Sequence, residues 1–274
     1  VHDTQEPEMV AEEVFMILCV DMGNTDITVG IYADDRLITT FRTATDKKKS
    51  CDEYERLLSD FVVNKKLLQE NFTGAILCSV VPSLTFTVKK AITAAFEVEP
   101  LIVGKGVKSG LPIRTDNPSE VGADLVSDSV GGIVSYGFPL LIADLGTATK
   151  LMVIDKTGAF VGCVITPGLK LSVLALVGAS AQLPDISLER PKKIIGKNTS
   201  DSMNSGAIYG TAEMIKGLAA EMEKELGYPC KRVLTGGFSS FVKDMLEDFT
   251  FNPNLILEGL LAIYQKNEVK KDEK

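Results

Sequence analysis

The chain has one histidine, His2, and it lies in an acidic leader. Histidine-dependent catalysis and a histidine-rich metal site are excluded, so any general base must be Asp, Glu, Lys, Tyr or Cys. Disulfide and zinc signals are also missing. The five cysteines (Cys19, Cys51, Cys78, Cys163, Cys230) are odd in number, scattered, and form no C-x-x-C pair. They read as free thiols of a reducing cytoplasm. Positive charge is scarce: 29 Lys and Arg face 37 Asp and Glu, a net charge of −8 with no basic stripe, which argues against a nucleic-acid partner. No apolar run reaches the length of a membrane span, so no membrane partner is expected. Residues 1–15 lack the positive and apolar regions of a signal peptide. They are expected to be a disordered extension, with the folded part beginning at Met16, itself a candidate start. The charged tail 268–274 is expected to fray.

What is present is ordinary in bulk and unusual in pattern. The 274 residues, 45% hydrophobic and 24% charged, suffice for about two soluble domains with normal cores. One motif then occurs twice. CVDMGNTDITVGIY (19–32) and IADLGTATKLMVID (142–155) both run an apolar strand into Asp-x-Gly, then small polar residues, then a second apolar strand. By spacing, Asp21, Gly23 and Thr25 match Asp144, Gly146 and Ala148, with Thr147 and Thr149 flanking. A turn of small residues lets backbone N–H groups approach an anion, hydroxyls add donors, and the Asp can hold Mg²⁺ directly or through water. A lone copy is a common hairpin turn. Two copies, one per half, imply related lobes with a nucleotide's phosphates between them.

The intervening pattern supports α/β lobes. After the first hairpin, LITTFRTAT reads as a third strand, and residues 50–68 show helical spacing at Tyr54, Leu57, Leu58, Phe61 and Val62, with Ser50 or Asp52 as cap. GAILCSVV is a buried strand stopped by Pro82, SLTFTVKKAITAAF a helix and EPLIVG a short strand. Asn117, Pro118 and Glu120 signal a helix start, with the helix running to about Tyr136. The second hairpin follows, then the strand GAFVGCVITPG, a long helix from Asn198 to Gly227, the strand KRVLTGG with a short helix after it, and a closing helix, LILEGLLAIYQK. The expected organisation is an N-terminal α/β lobe over 16–117 and a C-terminal one over 118–267, with mixed sheets. Gly206 and Gly210 in the long helix suit close backbone packing, either within one lobe or between two copies of the chain.

Several segments together resemble one family. DMGNT (21–25), CSVVP (78–82), DNPSEVGAD (116–124), DLGTAT (144–149), ITPGL (165–169), AQLP (181–184), IGKNT (195–199) and TGG (235–237) occur in the order found in type III pantothenate kinases. These belong to the acetate/sugar kinase, Hsp70 and actin superfamily. The resemblance runs from Met16 to about Asn267. It implies an actin-like ATPase (ribonuclease H-like) fold and phosphorylation of pantothenate by ATP, the first step of coenzyme A synthesis. It also implies Mg²⁺, a monovalent cation (K⁺ or NH₄⁺) and a cytoplasmic homodimer.

Carried over, Asp21, Gly23, Asn24 and Thr25 would grip the phosphates with Asp21 arranging the metal. Gly146, Thr147 and Thr149 would complete the ATP site, Asp144 would lie near the phosphates or cation, and Gly236 and Gly237 would face the adenosine. Asp124 would be the general base on the pantothenate hydroxyl. The acid substrate would meet Thr115, Gly122, Leu125, Lys150 and Val173.

Departures from the family pattern gather in that last group. Leu125 replaces the arginine of G-A-D-R, Thr115 a tyrosine, and Lys150 the last threonine of T-A-T-T. Gly162-Cys163 stands for Gly-Gly, and Ser172-Val173 for Ser-Thr. Loss of a charged partner from a desolvated carboxylate costs roughly 3–5 kcal/mol, and Lys150 could restore the charge only as a point donor. Three readings follow: a pantothenate kinase with a reworked pocket, a kinase for another small acid or alcohol, or a catalytically weak nucleotide-binding subunit paired with a complete homolog.

Overall fold

The computed structural model describes residues 15–67 and 71–268; the leader up to residue 14 and the tail beyond 268 lie outside the described residues. Its two halves repeat one topology. In the first, β1 (Met16–Met22), β2 (Asp26–Ala33), β3 (Arg36–Ala44), α1 (Cys51–Asn64), β4 (Phe72–Ser79), α2 (Pro82–Phe96) and β5 (Leu101–Ile102) form a sheet of order β3-β2-β1-β4-β5. In the second come α3 (Ala123–Tyr136), β6 (Leu140–Leu145), β7 (Ala148–Ile154), β8 (Phe160–Pro167), α4 (Leu169–Ala179), α5 (Thr199–Leu226), β9 (Lys231–Thr235), β10 (Thr250–Phe251) and α6 (Leu255–Glu268). Their sheet runs β8-β7-β6-β9-β10. In each sheet the first three strands are antiparallel, while the fourth and fifth add in parallel. This is the mixed, duplicated α/β architecture expected from the paired hairpins.

Strand alternation decides which face each residue serves. Along β1, Leu18, Val20 and Met22 pack with α1 and α2, whereas Cys19 faces an apolar layer between the two sheets. Asp21, two residues on from Cys19, therefore ends the inner face. The second half obeys the same rule. Leu141, Ala143 and Leu145 pack outward against α5, and Leu140 and Ile142 pack inward, so Asp144 also ends an inner face. Met152 and Ile154 of β7 point inward too, and Lys150 shares their parity.

The layer between the sheets is built on α3 and α6. Leu125, Val126 and Val130 of α3 join Leu257, Leu260 and Ile263 of α6 in one cluster with both inner sheet faces. The closing helix thus packs on the N-terminal sheet as well as the C-terminal one. Glycines let the two helices approach closely. A Cβ at Gly131 would collide with the Leu255 carbonyl oxygen, and one at Gly259 would lie 2.8 Å from the Ser127 carbonyl carbon and 2.9 Å from the Gly131 nitrogen.

Local signals succeeded at α1 and failed at α3 and α4. Ser50 caps α1 in a reciprocal box: Glu53 N donates to Ser50 Oγ (3.3 Å) and Ser50 N to Glu53 Oε2 (2.7 Å). The start signal at Asn117 gives only a single 3₁₀ turn, Pro118–Glu120, and the Asn117 amide bonds Glu120 Oε1 instead of capping a helix. Val121 then turns extended to pack on the inter-sheet layer, and α3 begins at Ala123 with Gly122 as N-cap. Asp124 therefore sits in the first turn of α3, where the helix dipole favours its anion. Helix α4 has no polar face to give it a period, and Leu171, Leu174 and Leu176 on it stay exposed.

Replacing Gly259 with alanine is expected to cost about 1–3 kcal/mol through overpacking against α3. Denaturant melts would show it, and a neutral substitution would mean that the helices separate without penalty.

Candidate active site

The tips of the two duplicated turns touch. Thr25 Oγ1 and Thr147 Oγ1 are 2.8 Å apart across the cleft. The turns differ in length: Gly23 N donates to Asp26 O (2.9 Å) and Gly146 N to Ala148 O (3.1 Å). The first turn thus holds one residue more, so Thr25 meets Thr147 rather than standing in the place of Ala148. Each turn is braced from behind. Thr45 donates from Oγ1 to Gly23 O (2.7 Å) and from N to Thr25 O (2.8 Å), while Gly168 N donates to Thr147 O (3.1 Å). Asn24, Thr25 and Thr147 are exposed, available to a ligand. Thr149 is buried, and its Oγ1 has no protein partner.

Below the tips lies a cluster of charge. Lys150 pairs across β7 and β6 with Asp144, and its Nζ reaches Asp144 Oδ2 at 2.5 Å and Asp124 Oδ2 at 2.8 Å. Asp124 Oδ1 accepts from the Leu125 backbone N–H at 2.9 Å. A Cβ at Gly122 would strike the same carboxylate, which is why this N-cap has no side chain. Asp128, one turn further along α3, is 2% exposed, and its Oδ1 lacks a partner.

Burial pushes the Asp21 carboxyl up to about 7, with Asp124 and Asp144 adding repulsion, against a pull downward from Lys150 and the Cys78 thiol, which donates to it. The same burial, reinforced by Asp21, holds the Cys78 thiol well above its usual range and keeps it protonated. Burial alone would lower the Lys150 ammonium. Asp144, Asp124 and Asp128 outweigh it, and Lys150 stays fully charged.

The remaining sequence candidates divide. Gly236 adopts a left-handed backbone (φ 92°) with Leu145 N only 2.5 Å from where a Cβ would lie, so no side chain fits there. A Cβ at Gly237 would meet the Arg42 guanidinium, which reaches over from β3 and is paired with Asp26 at 2.9 Å. Leu125 is buried in the inter-sheet layer. Thr115 Oγ1 is buried without a partner. Val173 lines a separate, mostly apolar pocket of about 950 Å³ between α4 and α5, with Thr166, Leu176, Met203, Gly206 and Gly210. Sequence reasoning missed Asp128, whose i+4 spacing from Asp124 was the available signal. It also missed Arg42, which carries none.

The family model for type III pantothenate kinase matches residues 17–221. The chain belongs to the type III pantothenate kinase family. It is 40% identical over 254 residues to the type III pantothenate kinase of Exiguobacterium sp. (strain ATCC BAA-1283 / AT1b), covering 92% of this chain and 100% of that protein. A second relative of the same name, from Agathobacter rectalis, is 36% identical over 93% of this chain and 99% of its own length. In three dimensions the chain is similar to MreB5 of Spiroplasma citri bound to ADP, with a TM-score of 0.52 at 13% identity, covering 96% and 99% of the two chains. That likeness, with the repeated topology, makes the fold of this kinase family member actin-like.

Mg²⁺ in such sites takes one or two carboxylates and the substrate's phosphates. Asp21 suits that role, since it makes no ion pair among the described residues. Asp144 is already committed through Oδ2 to Lys150. No three acidic, Cys or His side chains among the described residues are grouped to hold a metal, so the nucleotide would have to complete the shell.

Because the folded state raises the Asp21 value from 3.8 to about 7, the native protein holds this proton more tightly than the unfolded chain. The resulting stability is complete below pH 4 and is lost as pH rises toward and past 7. With its partial exposure discounted, Asp21→Asn is expected to stabilise the ligand-free kinase at pH 8 by about 1–2 kcal/mol and to change little at pH 4. A pH-independent effect in thermal melts would show that the carboxylate is well solvated.

Proposed function

We propose that this chain phosphorylates pantothenate with ATP, yielding 4′-phosphopantothenate and ADP, the first step of coenzyme A biosynthesis. The observation that carries this is the meeting of the two Asp-x-Gly turns above Asp124, in a chain 40% identical to a protein of that name. The exposed turn tips, Asn24 and Thr25 on one side and Thr147 on the other, take the phosphates, and Gly236 and Gly237 leave room for the adenosine. Asp21 would hold Mg²⁺, which when bound would supply neutralising charge to the phosphates. Asp124, fixed by the Leu125 N–H and the Lys150 ammonium, accepts the proton of the pantothenate hydroxyl. That oxygen bonds to the γ-phosphorus as the bridge to the β-phosphate breaks. Catalysis of this kind rests on positioning and charge more than on covalent chemistry. The acid end of the substrate would lie toward Gly122 and Thr115. Five unpaired thiols support a reducing, cytoplasmic setting.

The purified chain should form ADP only when pantothenate and ATP·Mg²⁺ are both supplied. Asp124→Asn should lower kcat by about 10²-fold or more while ATP still raises the melting temperature. Unchanged kcat would remove Asp124 from the role of base.

The chain is also proposed to form a homodimer. Gly206 and Gly210 are exposed along the groove between α4 and α5, and among the described residues no atom outside their own stretch of α5 lies within 4 Å of a Cβ built on either, which leaves that face of α5 open to a second copy. Ile165 and the α4 leucines add exposed apolar surface nearby. Sedimentation at micromolar concentration should give twice the chain mass of 29.6 kDa; a 29.6 kDa species would refute it.

A further inference from the structure

We infer that Lys150 is the built-in cation of the cleft: its ammonium holds Asp124 and Asp144 in place, so that no free monovalent cation is needed there. The inference rests on the kinase reading for its activity arm and on geometry alone for its stability arm.

The argument begins with charge. Four carboxylates, Asp21, Asp124, Asp128 and Asp144, lie close enough to Lys150 to feel its field. They come from β1, α3 and β6, elements of both lobes. No other Lys or Arg among the described residues pairs with any of them. Lys150 Nζ is within 2.8 Å of oxygens on two of these carboxylates, and its side chain is only 14% exposed. Of the three hydrogen bonds an ammonium can donate, one goes to Asp124 Oδ2, and the contact with Asp144 is an ion pair. The position is set by register, because Lys150 lies directly opposite Asp144 on the neighbouring strand. The duplicated half makes the contrast: the residue opposite Asp21 is Thr28, which carries no charge.

Without Lys150, anions at this spacing in a partly desolvated cleft would repel one another, and Asp124 would lose one of its two fixed donors. A small cation of ammonium size would be the natural substitute, since it would meet the same two oxygens. With Lys150 present those oxygens are taken, and the cation that the family resemblance implies finds no vacant carboxylate pair at Asp124 and Asp144. Lys150 acts through Asp124 and is a positioning residue.

The test compares wild type with Lys150→Met and Lys150→Arg in choline chloride and in KCl or NH₄Cl at equal ionic strength. Thermal unfolding and pantothenate-dependent ADP formation are both read. Wild type is expected to show the same melting temperature and kcat in every salt. Lys150→Met should lose about 100-fold in kcat in choline, with KM for pantothenate changed less than about threefold. K⁺ or NH₄⁺ should restore kcat at least tenfold and raise the melting temperature by several degrees, and Lys150→Arg, which keeps a fixed charge, should show no cation response in either readout. A wild-type requirement for K⁺ would overturn the inference, even if Lys150→Met fails to fold. So would a Met variant that is fully active in choline, or one impaired with no cation response in either readout. If wild type turns over no pantothenate in any salt, the proposed function fails, and the unfolding measurements still decide the place of Lys150.

Discussion

Charge balance in the floor of the cleft governs the rest of this structure. Carboxylates brought together from both lobes repel one another, and desolvation raises the cost of keeping them ionised. One ammonium, fixed by strand register, offsets that repulsion and at the same time ties α3 to β6. The first-turn position of Asp124 in α3 contributes from the other side, through the helix dipole.

The layer beneath explains why these groups stay in register. Helices α3 and α6 lie between two sheets and approach each other to backbone contact at Gly131 and Gly259. Close packing of that kind transmits displacement rather than absorbing it. Asp124 is thus referenced to both sheets at once, although it belongs to a segment that joins them. A side chain placed on a loop would lack that reference.

Much of this was legible in the sequence because it depends on short-range pattern. The two Asp-x-Gly turns announced the duplication, and period-two alternation from Cys19 to Asp21 and from Ile142 to Asp144 sends both aspartates inward. Ser50, one of the two expected caps beside Asp52, marked the start of α1. What escaped detection depends on tertiary contact. The Asn117 signal was overridden when Val121 found apolar neighbours. Helix α4 has no polar face to create a periodic signal. Lys150 could have been paired with Asp144 from the short turn between them, but the burial that turns it from a strand lysine into a counter-ion needs the other lobe. Arg42 over Gly237 joins residues 195 positions apart in sequence, beyond any local rule.

Two identical hairpins facing each other would form a cradle with no polarity, able to accept a linear anion in either direction. Here the first turn carries an additional residue, and the position opposite the turn aspartate is threonine in one half and lysine in the other. The duplication therefore survives in the scaffold and is broken at the lips and the floor. A phosphate chain has a nucleoside at one end and a transferable group at the other, and only a cradle with distinguishable ends can enforce which end meets the acceptor.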